Sequence, residues 1–221
     1  MPIEQANKMT GLTSNVGTMN HRVHSSSPSW IALVIFIEGF CSLGAEIVAL
    51  RRLVPHVGSA IVVTAPTIGF FLLALALGYA AGGKVTEGHL ARVTRNFLLS
   101  AVIVGVGLAG PVVNALFSQL QPVWLAYLVF LSAVLCPVAW LLGQTVPILS
   151  NLMKHEHVGQ ASGTALYWST LGSFLGSVSL SVIVMQNFGV SAAVISCAFG
   201  LLAGAAMLQS TTRHRVVLPM I

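Results

Sequence analysis

The chain has 221 residues, of which 56% are apolar and 7% charged, against roughly 25% charged in an ordinary soluble domain. With a mean hydropathy of +0.89, this composition excludes a water-soluble globular fold and leaves insertion into a bilayer. The formal net charge is +5, but the basic residues stand in short clusters beside apolar stretches, which argues for topology signals rather than a nucleic-acid surface.

In chain order, residues 1–28 are rich in Ser, Thr, Asn, Gly and His without an apolar run, and are expected to form a flexible polar tail. The first apolar run begins at Trp30 and is long enough to span, so it is expected to be retained as a helix rather than removed as a leader. Apolar stretches then predict six transmembrane helices at about 30–50, 59–82, 97–117, 123–142, 163–185 and 190–208. After the fourth, Gly143-Gln144-Thr145-Val146-Pro147 interrupts a run that otherwise continues to Met153, because proline removes a helix donor and crowds the preceding turn. A kink or a stop is expected there. The six-helix domain covers 29–209, and 210–221 is a short basic tail.

Lys and Arg set the orientation. With the N-terminus in the cytoplasm, Lys8, Arg22, Lys84, Arg92, Arg95, Lys154, Arg213 and Arg215 fall inside, and Arg51 and Arg52 alone fall outside. The predicted fold is therefore an all-α integral membrane bundle with both termini cytoplasmic.

Two carboxylates, Glu38 and Glu46, lie within the first apolar stretch. A charge at mid-helix costs about 2.5 kcal/mol or more, so such a group is expected to face the interior, pair or carry a proton. Either Glu46 pairs with Arg51 or Arg52 and Glu38 with a polar group elsewhere, purely to hold the bundle, or Glu46 contributes to a cation site or proton relay. Gln144 and Ser169 are further candidates to line such a path. Pairs of glycines four residues apart, Gly78 and Gly82, Gly172 and Gly176, Gly200 and Gly204, predict close helix packing.

Other patterns carry less. Residues 105–110 spell Gly-Val-Gly-Leu-Ala-Gly, but no strand precedes this dinucleotide-like motif and no acidic residue follows at the required distance. His155-Glu156-His157 beside Lys154, and His21 and His24 in the tail, read as solvated segments rather than a metal site. Cys41, Cys136 and Cys197 sit in apolar stretches without CxxC spacing and read as packing residues. No cofactor, metal or nucleic acid is expected.

Several segments, taken in order, resemble the membrane domain of the membrane-fused spermidine synthase-like (polyamine aminopropyltransferase-like) proteins. Glu46-Ile47-Val48-Ala49-Leu50-Arg51 with Gly58-Ser59 is similar to that family's first-helix Glu and Arg and its turn into helix two. Leu75-Ala76-Leu77-Gly78-Tyr79-Ala80-Ala81-Gly82-Gly83-Lys84 is similar to the end of its second helix. Leu142-Gly143-Gln144-Thr145-Val146-Pro147 resembles its Met-Gly-Ala-Thr-Leu-Pro segment, and Ser169-Thr170-Leu171-Gly172 its Asn-Thr-Leu-Gly helix, with Ser169 where Asn is usual. The resemblance implies a following Rossmann-like catalytic domain, which these residues do not include, and the chain contains no Asp. No enzymatic activity is therefore expected of it.

Three roles follow. The first is a non-catalytic membrane subunit or anchor, associating with a separate chain or with another copy inside the bilayer. The second is a half-size transporter for a cationic or proton-coupled small molecule, a polyamine being the substrate the resemblance implies. An intramembrane enzyme ranks last, since no Ser-His or paired-Asp arrangement occurs at helical spacing. The expected location is the bacterial inner membrane.

Overall fold

The structure, a computed structural model, describes residues 29–153 and 158–217. They are helical, with no strand among them. The helices are α1 (Ser29–Val57), α2 (Ile61–Gly83), α3 (His89–Gly107), α4 (Gly110–Gln119), α5 (Val123–Phe130), α6 (Cys136–Gly143), α7 (Thr145–Leu152), α8 (Val158–Val178) and α9 (Met185–Val217). Two π segments, Leu131–Leu135 and Ser179–Val184, join α5 to α6 and α8 to α9.

Five continuous stretches are long and apolar enough to cross a membrane: α1, α2, α3, Val123–Leu152 and Gly159–Ser210. The last has 52 residues, about 78 Å as one rod, more than twice the roughly 30 Å of a hydrocarbon core. Gly189 divides it. Its φ of 81° and ψ of 171° belong to a region that only glycine enters readily. Six long apolar segments result.

Several boundaries differ from expectation. α1 runs seven residues past Leu50, carrying Arg51, Arg52 and Pro55 in its last turns, and ends where Gly58 takes a φ of 79° and donates its N–H to the Val54 carbonyl at 3.0 Å. This is a left-handed glycine cap. The third span is not 97–117. It starts at His89, because Val93, Phe97, Ala101 and Val104 form a buried face that draws the polar stretch before Phe97 into the helix. It stops at Gly107, because Pro111 cannot donate to the turn before it, so α4 is a separate short helix.

The interruption after the fourth span is confined to Gln144, and α7 continues immediately. Pro147 falls in the first turn of α7, where the backbone N–H has no intrahelical partner to lose. Upstream, Pro137 likewise has no N–H to return, and the wider π turn absorbs the mismatch, with the Cys136 N–H reaching Leu131 O. α9 extends beyond 209 to Val217. The predicted tail 1–28, with His21 and His24, and the segment 154–157, with His155, Glu156 and His157, lie outside the described residues.

α1 is the central helix, packed most extensively against α8 and then α9, while α3 packs on α9 and α2 on α6. The seams are built on glycine. A Cβ on Gly172 or Gly176 would run into the carbonyl oxygen of Phe36 or Phe40, and one on Gly39 into that of Ser169. On the α2 side, a Cβ on Gly78 would meet Trp140 O at 2.5 Å, one on Gly143 Leu75 O at 2.7 Å, and one on Gly82 Gln144 O at 2.6 Å. Gly200 and Gly204 make room for Cys41 Sγ and the Phe97 ring. Backbone-to-backbone approach of this kind supplies packing where lipid gives helices no hydrophobic reason to associate. The outward faces carry Phe70, Leu73, Leu77, Val102, Phe174 and Phe199, all exposed, the reverse of a soluble helix bundle.

Candidate functional site

The six candidate polar residues separate into three places. The first is a buried polar level. Ser169 donates its hydroxyl to Glu38 Oε2 at 2.9 Å, joining α8 to α1, with Glu38 only 1% exposed. Gly204 lies against both Ile37 and Phe97, which puts the neighbouring Glu38 and Asn96 at the same height in the bundle. Asn96 Nδ2 donates to the Leu141 carbonyl at 3.2 Å. One turn towards the α3 start, Arg92 Nε donates to Gln144 Oε1 at 3.2 Å, and Gln144 Nε2 donates back to Trp140 O at 3.2 Å. Gln144 is thus held by Arg92 rather than placed beside a carboxylate. Two fully buried hydroxyls, Ser100 Oγ and Thr145 Oγ1, have no hydrogen-bond partner among the described residues.

The second place is the upper part of the buried face of α1. Glu38, Ser42 and Glu46 are spaced four apart, so each step rises about 6 Å and turns about 40°, and the three make one polar stripe. Ser42 is 4% and Glu46 3% exposed, and neither makes a hydrogen bond or ion pair among the described residues. The expectation that Glu46 pairs with Arg51 or Arg52 is not met.

The third place explains why. Arg52 points away from Glu46, donating from Nε to the Leu108 carbonyl at 3.1 Å and from Nη2 to Ser191 Oγ at 2.9 Å. Leu108 follows the last turn of α3, whose carbonyls lack helical partners, so the guanidinium ties the α3–α4 break to the start of the last span. Residues 105–110, the dinucleotide-like motif, span this break. Beside it, His56 stacks on Phe117 of α4 with ring centroids 4.5 Å apart. Arg51 is exposed on the adjacent face, lining a cavity of about 260 Å³ at the α1–α2 turn.

Sequence reasoning missed Ser42, although its spacing from both carboxylates was visible. It also missed Asn96, gave Arg92 only a topological role ahead of the third span, and missed Ser191, whose role depends on an arginine 139 residues earlier. Three cavities along the perimeter, at Arg51, at Phe70 and Ser132, and at Phe36 and Trp168, are not lined by Glu38 or Glu46. No protein-family model, curated protein or solved structure matches the chain.

Proposed function

We infer that the chain is a non-catalytic integral membrane subunit or anchor of the bacterial inner membrane, both termini cytoplasmic, working beside a separate chain or another copy of itself. The observation that carries this reading is the seal around Glu38. Gly39, Gly172 and Gly176 bring α1 and α8 into backbone contact, and Ser169 donates to one oxygen of the carboxylate, Oε2, from within the same seam. An acid so enclosed is a fixed part of the packing, and the seam holds no room for a substrate. The resemblance to the membrane half of spermidine synthase-like proteins supports the same role, with chemistry supplied by a partner.

Native mass spectrometry of the tagged chain, expressed at its natural level and extracted in mild detergent, tests this. A defined assembly of fixed stoichiometry is expected. A lone monomer whose deletion leaves every membrane complex intact would overturn it.

A second reading, transport of a small cation such as a polyamine or of protons, is favoured by Ser42 and Glu46, buried polar groups with no partner among the described residues. On this reading, proteoliposomes containing the chain take up labelled spermidine, and Glu46→Gln abolishes uptake without lowering folded yield. Uptake equal to that of protein-free vesicles removes transport.

A further inference from the structure

Arg51 and Arg52 are the two cations that break the charge asymmetry of the chain, and the structure employs only one of them. Arg52 is committed to Leu108 O and Ser191 Oγ. Arg51 makes no hydrogen bond or ion pair among the described residues, is exposed, and lies in the wall of the cavity at the α1–α2 turn. Ile47, Leu50 and Val63 supply apolar walls there, and the polar lining is Arg51, Ser59, Thr64 and Ser181. Thr64 returns its hydroxyl to Ala60 O, whereas Ser59 and Ser181 have no partner among the described residues. No acidic residue lines the space.

Ser181 reaches the cavity from the π segment Ser179–Val184. The other π segment has Pro137 as its local cause, but no proline lies between Ser179 and Gly189. π turns inside α-helices are frequent at functional sites.

We propose that this notch binds the phosphate headgroup of one anionic phospholipid, with Arg51 as the anion-binding residue and Ser59 and Ser181 as hydroxyl donors. Arginine is suited to phosphate by its planar, multi-donor fork. A lipid, rather than free phosphate, is indicated because the walls below the guanidinium are apolar and open beside Ile61 and Val62, 79% and 78% exposed. A volume of about 260 Å³ is that of about eight or nine water-sized groups, enough for a phosphate and part of its glycerol. The bland alternative is an interfacial arginine meeting passing headgroups, worth about fivefold for one surface cation. The proposal rests on the membrane reading above, but not on the choice between anchor and transporter.

The test uses the full chain reconstituted in phosphatidylcholine vesicles with a minor fraction of phosphatidylglycerol, released into detergent and weighed by native mass spectrometry. One retained phosphatidylglycerol per chain is expected. Retention falls about tenfold or more in Arg51→Gln, is unchanged in Lys84→Gln at the opposite end of the bundle, and resists excess inorganic phosphate. Circular dichroism and elution profile establish that each variant folds. Should Arg51→Gln not fold, Ser181→Leu, which fills the cavity, is expected to give the same loss. Equal retention by wild type and folded variant, equal retention of phosphatidylcholine, or displacement by phosphate overturns the site. A wild-type chain that needs detergent yet retains no lipid also overturns it while leaving the membrane reading standing, and a chain soluble without detergent ends the membrane reading itself.

Discussion

Gly172→Leu is expected to abolish the folded bundle or to leave it several kcal/mol less stable, read as loss of the monodisperse peak in detergent and a large drop in thermal midpoint. A Cβ at 172 collides with the Phe36 carbonyl oxygen and lies 3.0 Å from its carbon. Neither atom is the end of a flexible side chain that can swing aside. Overpacking a well-filled interior costs about 1–3 kcal/mol where side chains can yield, and more is expected where backbone must move. The displacement cannot stay local, because Gly39 and Gly176 on the same seam are in equally close backbone contact, and α1 to α8 is the most extensive helix pair in the fold. Gly83→Leu is the matched control, since a Cβ there meets nothing within 4 Å, and it is expected to change stability by less than about 0.5 kcal/mol. Equal damage from both would mean that leucine itself, and not the seam, is what these helices reject.

Glu38 separates structure from chemistry. Glu38→Ala removes the acceptor of the Ser169 hydroxyl, an interhelical bond worth about 0.6 kcal/mol and at most about 1.7 in comparable bundles, and opens a cavity where large-to-alanine changes cost about 2–5 kcal/mol. Relief from burying an ionisable group offsets part of this. A net loss of about 2 kcal/mol is expected. Glu38→Gln keeps both the volume and an oxygen acceptor, so it is expected to lie within about 1 kcal/mol of wild type. A measurement of equal destabilisation in the two variants, by thermal or denaturant unfolding in detergent, contradicts the packing role assigned to Glu38.

The helical class and the apolar segments were legible in composition and run length, because hydropathy reports residue type over a window. What it does not report is the face on which each residue sits. His89, Arg92, Arg95 and Asn96 therefore read as lying ahead of the third span, although Val93 and Phe97 already stood at helical spacing on what became a fully buried face. The break at Leu108 was hidden in the same way, although Pro111 and the glycines at 105, 107 and 110 mark it. Glu38 and Ser169 were both singled out, but their bond joins residues 131 positions apart, a distance no single sequence resolves. Pairing of Glu46 with Arg51 or Arg52 is one of the two readings that proximity along the helix suggests, but the Leu108 acceptor of Arg52 exists only because the third span is cut short, and its other acceptor, Ser191, lies 139 residues away.

The connections at one end of the bundle are nearly absent. Residues 58–60 join α1 to α2, residues 120–122 join α4 to α5, and Gly189 alone reverses the last long segment. The Arg52 bonds and the His56–Phe117 stack place these three reversals together. Apart from α4, which crosses it between α3 and α5, that cap offers few residues for a protease to nick or for a bulky epitope tag to replace without cost. On the subunit reading proposed above, the outer side of α4 is the one extended surface this cap presents, and affinity handles belong away from these three reversals.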